Sequence, residues 1–152
     1  MPMPAEARAN GAATIRLVML AGNAYLALAR ADTDVALRQF ASVPDSMCAV
    51  LCAELKLVTA QLFMSRGRYQ EADSLLARRW TNDIRPLEIV QALERGRASE
   101  QLGKRKEAID AYTLVVDAWA NGDSLVQPAV QAARDGLRRL GAEQSSRRPV
   151  RP

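Results

Sequence analysis

The sequence predicts an all-α protein built from stacked helical hairpins, and three observations carry that prediction. Ala36, Ala72 and Ala108 stand 36 residues apart (72 − 36 and 108 − 72). Other positions keep step: Phe40, Leu76 and Tyr112 four residues later, Ala31, Gly67 and Gly103 five earlier, and Ala24, Ala60 and Gly96 twelve earlier. A fixed period of small and large residues marks stacked repeats. Secondly, hydrophobic residues make up 49% of the chain but aromatics only 5%. A core drawn mainly from Ala and Leu suits close-packed helices better than sheets. Thirdly, alternating Val-Ile-Thr stretches are scarce, and turn residues fall between helical stretches. At 152 residues the chain is one domain by length.

The elements follow in order. Residues 1–11 carry two prolines and read as a flexible lead-in. A first helix is expected from about Ala12 to Arg30. Asp32, Thr33 and Asp34 offer capping oxygens to a second, ending near Ser42. Val43-Pro44-Asp45-Ser46 breaks the chain and caps a third helix, which runs to about Ser65. Gly67 ends it, because glycine takes positive φ without steric cost. A fourth helix spans about Tyr69 to Trp80, followed by a loop over Thr81 to Arg85. Pro86 opens the fifth, where a proline belongs; it reaches Leu102 and stops at Gly103. The sixth runs from Arg105 to about Ala120. After the Asn121-Gly122-Asp123 turn, Pro128 moves the regular start of a seventh helix from Ser124 to nearer Val126. That helix ends near Leu140, and residues 142–152 read as a disordered basic tail. The helical domain thus covers 12–141, with repeats over 17–44, 53–85 and 89–122 and a capping helix over 124–140.

The periodic residues have physical work to do. Ala24, Ala60 and Gly96 sit in the middle of each first helix and let the second approach closely. Ala36, Ala72 and Ala108 do the same near the start of each second helix, and Phe40, Leu76 and Tyr112 fill the space one turn on. Ala132 lies 36 after Gly96, which keeps the last helix in phase. Arg134, Arg138 and Arg139 give that helix the polar outer side of a cap.

Composition excludes several chemistries. The chain has no histidine, and with it go the commonest general base, the usual metal ligand and any Ser-His or Cys-His pair. No Gly-rich phosphate loop follows a strand. The net charge is +4, but Arg147, Arg148 and Arg151 in the last six residues supply three of those charges, leaving the rest of the chain near +1 with both signs interspersed. That is not the basic stripe of a nucleic-acid binder. Cys48 and Cys52 share a helix face and read as two small buried hydrophobes, since zinc wants four ligands; two unpaired thiols fit a reducing cytoplasm. Leu17 to Ala29 is apolar and follows Arg16, in the manner of a secretory signal. Asn23 interrupts it and the repeat phase runs through it, so it is read as the first repeat's helix, and no stretch is expected to span a membrane. No cofactor and no metal site are expected.

The pattern resembles the tetratricopeptide repeat, with a period two residues longer than the usual ~34. The second unit carries the likeness best, through Ala60, Phe63, Gly67, Arg68, Tyr69, Glu71-Ala72 and Leu76. The third keeps Gly96, Gly103, Glu107-Ala108 and Tyr112 but has Arg105 in place of Tyr69; the first has Ala31 in place of glycine. From Arg85 to Leu140 the chain is also similar to the carboxy-terminal end of large bacterial repeat proteins that sit behind a serine/threonine kinase or a transcription-activator domain. The resemblance implies a right-handed α-α superhelix of three hairpins plus a C-terminal capping helix. It also implies that the first helix of each unit faces a concave groove.

Helical spacing from the packed residues then names the groove-facing set. It is Tyr25 and Leu28 on the first helix, with Val18 and Ala21 beside them. On the third it is Glu54, Leu57, Gln61 and Met64, with Ser65. On the fifth it is Val90, Leu93, Arg97, Glu100 and Gln101. The leading expectation is a non-enzymatic scaffold that holds a peptide or partner helix there. The alternative is a self-associating assembly module, or a detached part of a signalling protein, joined through an apolar amino-terminal edge of Ile15, Leu17, Val18, Leu20 and Leu26. An enzyme is third, with Glu54, Glu94, Glu100 and Asp110 as the carboxylates to consider. Trp80 and Trp119 read as wedges between neighbouring repeats.

Overall fold

A computed structural model describes residues 5–43, 52–77 and 86–141, the side chains of 5–10 and 52 excepted. Among the described residues there are seven helices and no strand, so the protein is all-α. The helices are α1 (Ala5–Ala29), α2 (Thr33–Ala41), α3 (Cys52–Ser65), α4 (Tyr69–Leu76), α5 (Pro86–Gln101), α6 (Arg105–Ala118) and α7 (Gln127–Arg139). They fall into two compact units, Met1–Leu62 and Phe63–Pro152.

Two sequence-based expectations are corrected, the flexible lead-in over residues 1–11 and the absence of any stretch long and apolar enough to span a membrane. α1 begins at Ala5, inside the supposed lead-in. Ala5, Ala7, Arg8 and Ala9 are strong helix formers and no proline falls within Ala5–Ala29, so nothing stops the helix from extending towards the amino terminus. By length and composition Gly11–Ala29 is also apolar enough to cross a membrane, with a mean hydropathy of 1.5. As Pro128 predicts, α7 starts at Gln127, next to Val126, with the proline in its first turn. The expectations for Cys48 with Cys52, for Trp80, for the 81–85 loop and for the basic tail lie outside the described residues.

The period of 36 appears as backbone geometry. Ala31, Gly67 and Gly103 have φ of 59, 70 and 68°. After each, the chain enters the next helix through Asp32, Arg68 or Lys104, with φ and ψ near one another at all three (−89 and 73°, −86 and 58°, −78 and 71°). At each turn the N–H of that residue donates to the carbonyl five residues back, from Asp32 to Ala27, Arg68 to Phe63 and Lys104 to Ser99, all at 2.9 Å. This is the bond that closes a helix through a left-handed residue. Only Asp32 adds a side-chain cap, accepting from the Val35 N–H at 3.1 Å.

In the first unit, α1 lies on α2. Leu17, Ala24 and Ala27 meet Ala36, Phe40 and Leu55 in its core. Tyr25 sets its ring edge-on to Phe40 at 5.1 Å.

In the second unit, α4 packs on α5, α5 on α6, and α7 on both α5 and α6. Ile89, Leu93, Ala108, Tyr112, Val115, Ala133 and Leu137 form its core, with Trp119 packed against it. Before α4, the Arg68 guanidinium lies over the Phe63 ring at 4.6 Å and bonds Glu71 at 2.9 Å.

α4 and α5 are also joined by charge. Asp73 is only 5% exposed. Its Oδ1 accepts from Ser99 Oγ at 2.9 Å and Arg95 Nε at 3.3 Å, and its Oδ2 from Lys104 Nζ at 2.7 Å. Burial pushes the Asp73 carboxyl towards the neutral form, but the bonds from Lys104 and Ser99 outweigh it and hold the group below the ordinary aspartate range. The residue 36 earlier is Leu37, buried in the first unit. The same place in the repeat is therefore filled once by a hydrocarbon and once by a partnered charge.

Candidate functional site

The site is built around one aromatic ring. Tyr112, on α6, is fully buried, with Gly96 of α5 on one side and Gly136 of α7 on the other. A Cβ placed on Gly96 would fall 2.6 Å from Tyr112 Cε1, and one on Gly136 closer still to Cε2. Both glycines are needed for the ring to lie flat between the two helices.

One turn beyond each glycine stands a charged residue: Glu100 four after Gly96, Arg139 three after Gly136. Residues at these spacings share a helix face, so both charges are brought over the edge of the ring. The Tyr112 hydroxyl donates to Glu100 Oε2 at 2.7 Å. Arg139 holds the same carboxylate by two bonds, Nε to Oε1 at 2.7 Å and Nη2 to Oε2 at 2.9 Å. Such a two-pronged pair fixes orientation as well as charge.

The electrostatics follow. The Arg139 bonds, aided by Tyr112, hold the Glu100 carboxyl below the usual range despite its partial burial. Burial and the adjacent carboxylate push the Tyr112 phenol well above its usual value. Glu100 keeps Arg139 protonated. A neutral phenol, a carboxylate and a guanidinium thus persist across the neutral range.

Above this trio opens a cleft of about 410 Å³, lined by Met64, Tyr69, Arg97, Glu100, Gln101 and Arg139. Arg97 is itself positioned by Glu94, Nη1 to Oε1 at 3.0 Å, with Glu94 almost fully buried. Both arginines in the cleft are therefore charge-balanced, and the lining mixes amide, phenol, thioether and guanidinium. Among the described residues no group of His, Cys, Asp and Glu is placed to hold a metal ion.

The sequence-predicted residues divide cleanly. Met64, Arg97, Glu100 and Gln101 come together in this cleft. Leu93 does not: expected on the open face, it is buried in the second unit's core at 5% exposure. The reason is that α5 is covered by α4, α6 and α7, which leaves it no wide free side. Val90 is half-buried beside it. Tyr25, Leu28, Glu54, Leu57 and Gln61 belong to the first unit: Leu28 packs on the Leu17–Phe40 core, Tyr25 rests on Phe40, Leu57 is half-buried, and Glu54 and Gln61 are exposed. Of the other carboxylates considered, Asp110 pairs with Lys106 at 2.6 Å.

Two lining residues escaped the sequence reading. Arg139 looked like one of three solvent-facing arginines on the last helix; Arg138 pairs with Asp135 on its own helix, whereas Arg139 turns to Glu100. Its signal is the Gly136-to-Arg139 spacing, which mirrors Gly96 to Glu100. Tyr69 opens α4 two residues after Gly67, and helical spacing read along α3 could not reach it. No protein-family model matches the chain, and neither a curated protein nor a solved structure does.

Proposed function

We propose that this protein is a non-enzymatic interaction module of the tetratricopeptide kind, its hairpins wound as a right-handed superhelix, and that its second unit holds an extended peptide in the Arg97–Arg139 cleft. The observation that carries the reading is the bidentate Arg139–Glu100 pair seated on Tyr112. Its three groups keep fixed protonation states near neutrality, which suits a rigid recognition surface and not a proton shuttle. Arg97 and Gln101 offer donors to a carboxylate or amide of the peptide, and Met64 offers a soft apolar contact for a neighbouring side chain. The turn repeated at Ala31, Gly67 and Gly103 supports the likeness to the repeat family. Recognition of this type draws on helix-borne side chains and needs no cofactor.

The test is site-specific photo-crosslinking in extract from the source cells. A photoreactive residue at Gln101 is expected to trap a partner that the same residue at Lys106, on α6 and outside the cleft, does not. With the photoreactive residue kept at position 101, Arg97→Lys, which leaves a cation beside Glu94 but removes the forked donor, should sharply reduce the product while the thermal midpoint stays put. Trapping at both positions alike, or at neither, overturns the reading.

A further inference from the structure

α1, in the first unit, presents a surface of its own. Leu17, Ala24 and Ala27 face the first unit's core, and the opposite side of the same helix is apolar yet uncovered. Ile15 and Met19 are each 63% exposed, Leu26 55%, Val18 53% and Tyr25 45%. These residues repeat every seven: Ile15 with Gly22, Val18 with Tyr25, Met19 with Leu26. A seven-residue spacing of this kind is the seam that one helix presents to another helix. At its centre Gly22 faces open space, with nothing within 4 Å of an added Cβ, so a partner backbone can approach closely there.

A bilayer would also take an apolar stripe, but the packing of α1 opposes it. Immersing α1 would strip Ala24 and Ala27 from Ala36 and Phe40, and would take Arg16 into hydrocarbon at considerable cost. A lipid surface also has no use for a glycine in the middle of the stripe.

We propose that this stripe docks on the same stripe of a second copy of the chain, antiparallel, with Gly22 meeting Gly22 at the two-fold axis. Val18 then lies against Leu26 of the other copy and Met19 against Tyr25, large residues meeting large on either side of the small centre. The antiparallel sense sets Arg16 beside Leu28 and keeps the two Arg16 side chains apart. The five exposed side chains offer roughly 500 Å² per copy, so the pair buries about 1,000 Å², the size of a weak but specific interface.

Sedimentation equilibrium of the full chain from about 1 to 500 µM tests this. The mass is expected to rise from 16.6 kDa towards twice that value. Gly22→Ala, which adds a methyl to an open helical site, should leave the monomer folded yet weaken association about tenfold or more. Met19→Glu with Leu26→Glu should hold the chain monomeric, with helicity by circular dichroism unchanged. A mass of 16.6 kDa throughout, or association indifferent to both variants, overturns the proposal. So does co-sedimentation with phosphatidylglycerol vesicles by a chain that does not dimerise, which would give the stripe to a membrane.

Discussion

The Tyr112 hydroxyl donates to Glu100 at 2.7 Å, and that one bond ties the buried core of the second unit to the floor of its cleft. The ring lies between Gly96 and Gly136, while the oxygen at its edge orients the carboxylate that Arg139 grips. Packing and recognition share a side chain here, so a change in either is felt in the other.

Tyr112→Phe keeps the ring and removes the bond. A hydrogen bond to a charged group contributes about 1.5–3 kcal/mol; with Arg139 still holding Glu100, a loss at the lower end is expected in urea unfolding. The ultraviolet titration of the folded protein should be unchanged up to alkaline pH, because the Tyr112 phenol is held neutral there.

Gly136→Ala tests the close approach. Alanine is the better helix former by about 1 kcal/mol, so an open site would gain stability. Here the new Cβ meets the Tyr112 ring, and a net loss of roughly 1–3 kcal/mol is expected. Pairing it with Tyr112→Leu, the residue type at position 76, should recover much of that loss; simple additivity of the two changes would count against the contact.

Ala31 occupies the turn that Gly67 and Gly103 make elsewhere, at φ 59°. A left-handed alanine costs roughly 1 kcal/mol relative to glycine. Ala31→Gly should therefore raise the stability of the first unit by up to about that amount, and Gly67→Ala should lower the second's by a similar one. Thermal melts of both variants check the opposite signs.

Asp73 contributes, with Glu100, to the acid sensitivity of the second unit. Its folded-state pKa lies below the ordinary value of about 4, so the stabilisation is complete above that pH and is lost as pH falls through the folded value. Unfolding free energy should decline in acid below about pH 4. In Asp73→Asn the share of that decline due to Asp73 should vanish, leaving the share of Glu100, at a cost of about 2 kcal/mol at neutral pH. An unaltered acid profile would place the sensitivity elsewhere.

The helices were legible because their signals are local. Pro86 opens α5, and Gly67 and Gly103 close α3 and α5 at the positions their conformational freedom predicts. The site was legible only where helical spacing along one element sufficed, as it did for Met64, Arg97, Glu100 and Gln101. Leu93 shares that helix but went to the core, because which side of α5 stays open depends on where α4 and α7 lie across it. Arg139 had no local mark that set it apart from Arg134 and Arg138.

The sequence by itself determined that this chain is helical, where most of its turns fall, and that the turns recur every 36 residues; propensity, breakers and positive φ act within a few bonds of the residue that carries them. The tertiary structure decided which glycines would clasp Tyr112, which carboxylate would be held by Arg139, and that a charge at Asp73 would stand where Leu37 stands in the first unit. Those outcomes depend on groups 12 to 39 residues apart in the chain meeting at bonding distance, and only the packing of helix on helix brings them there.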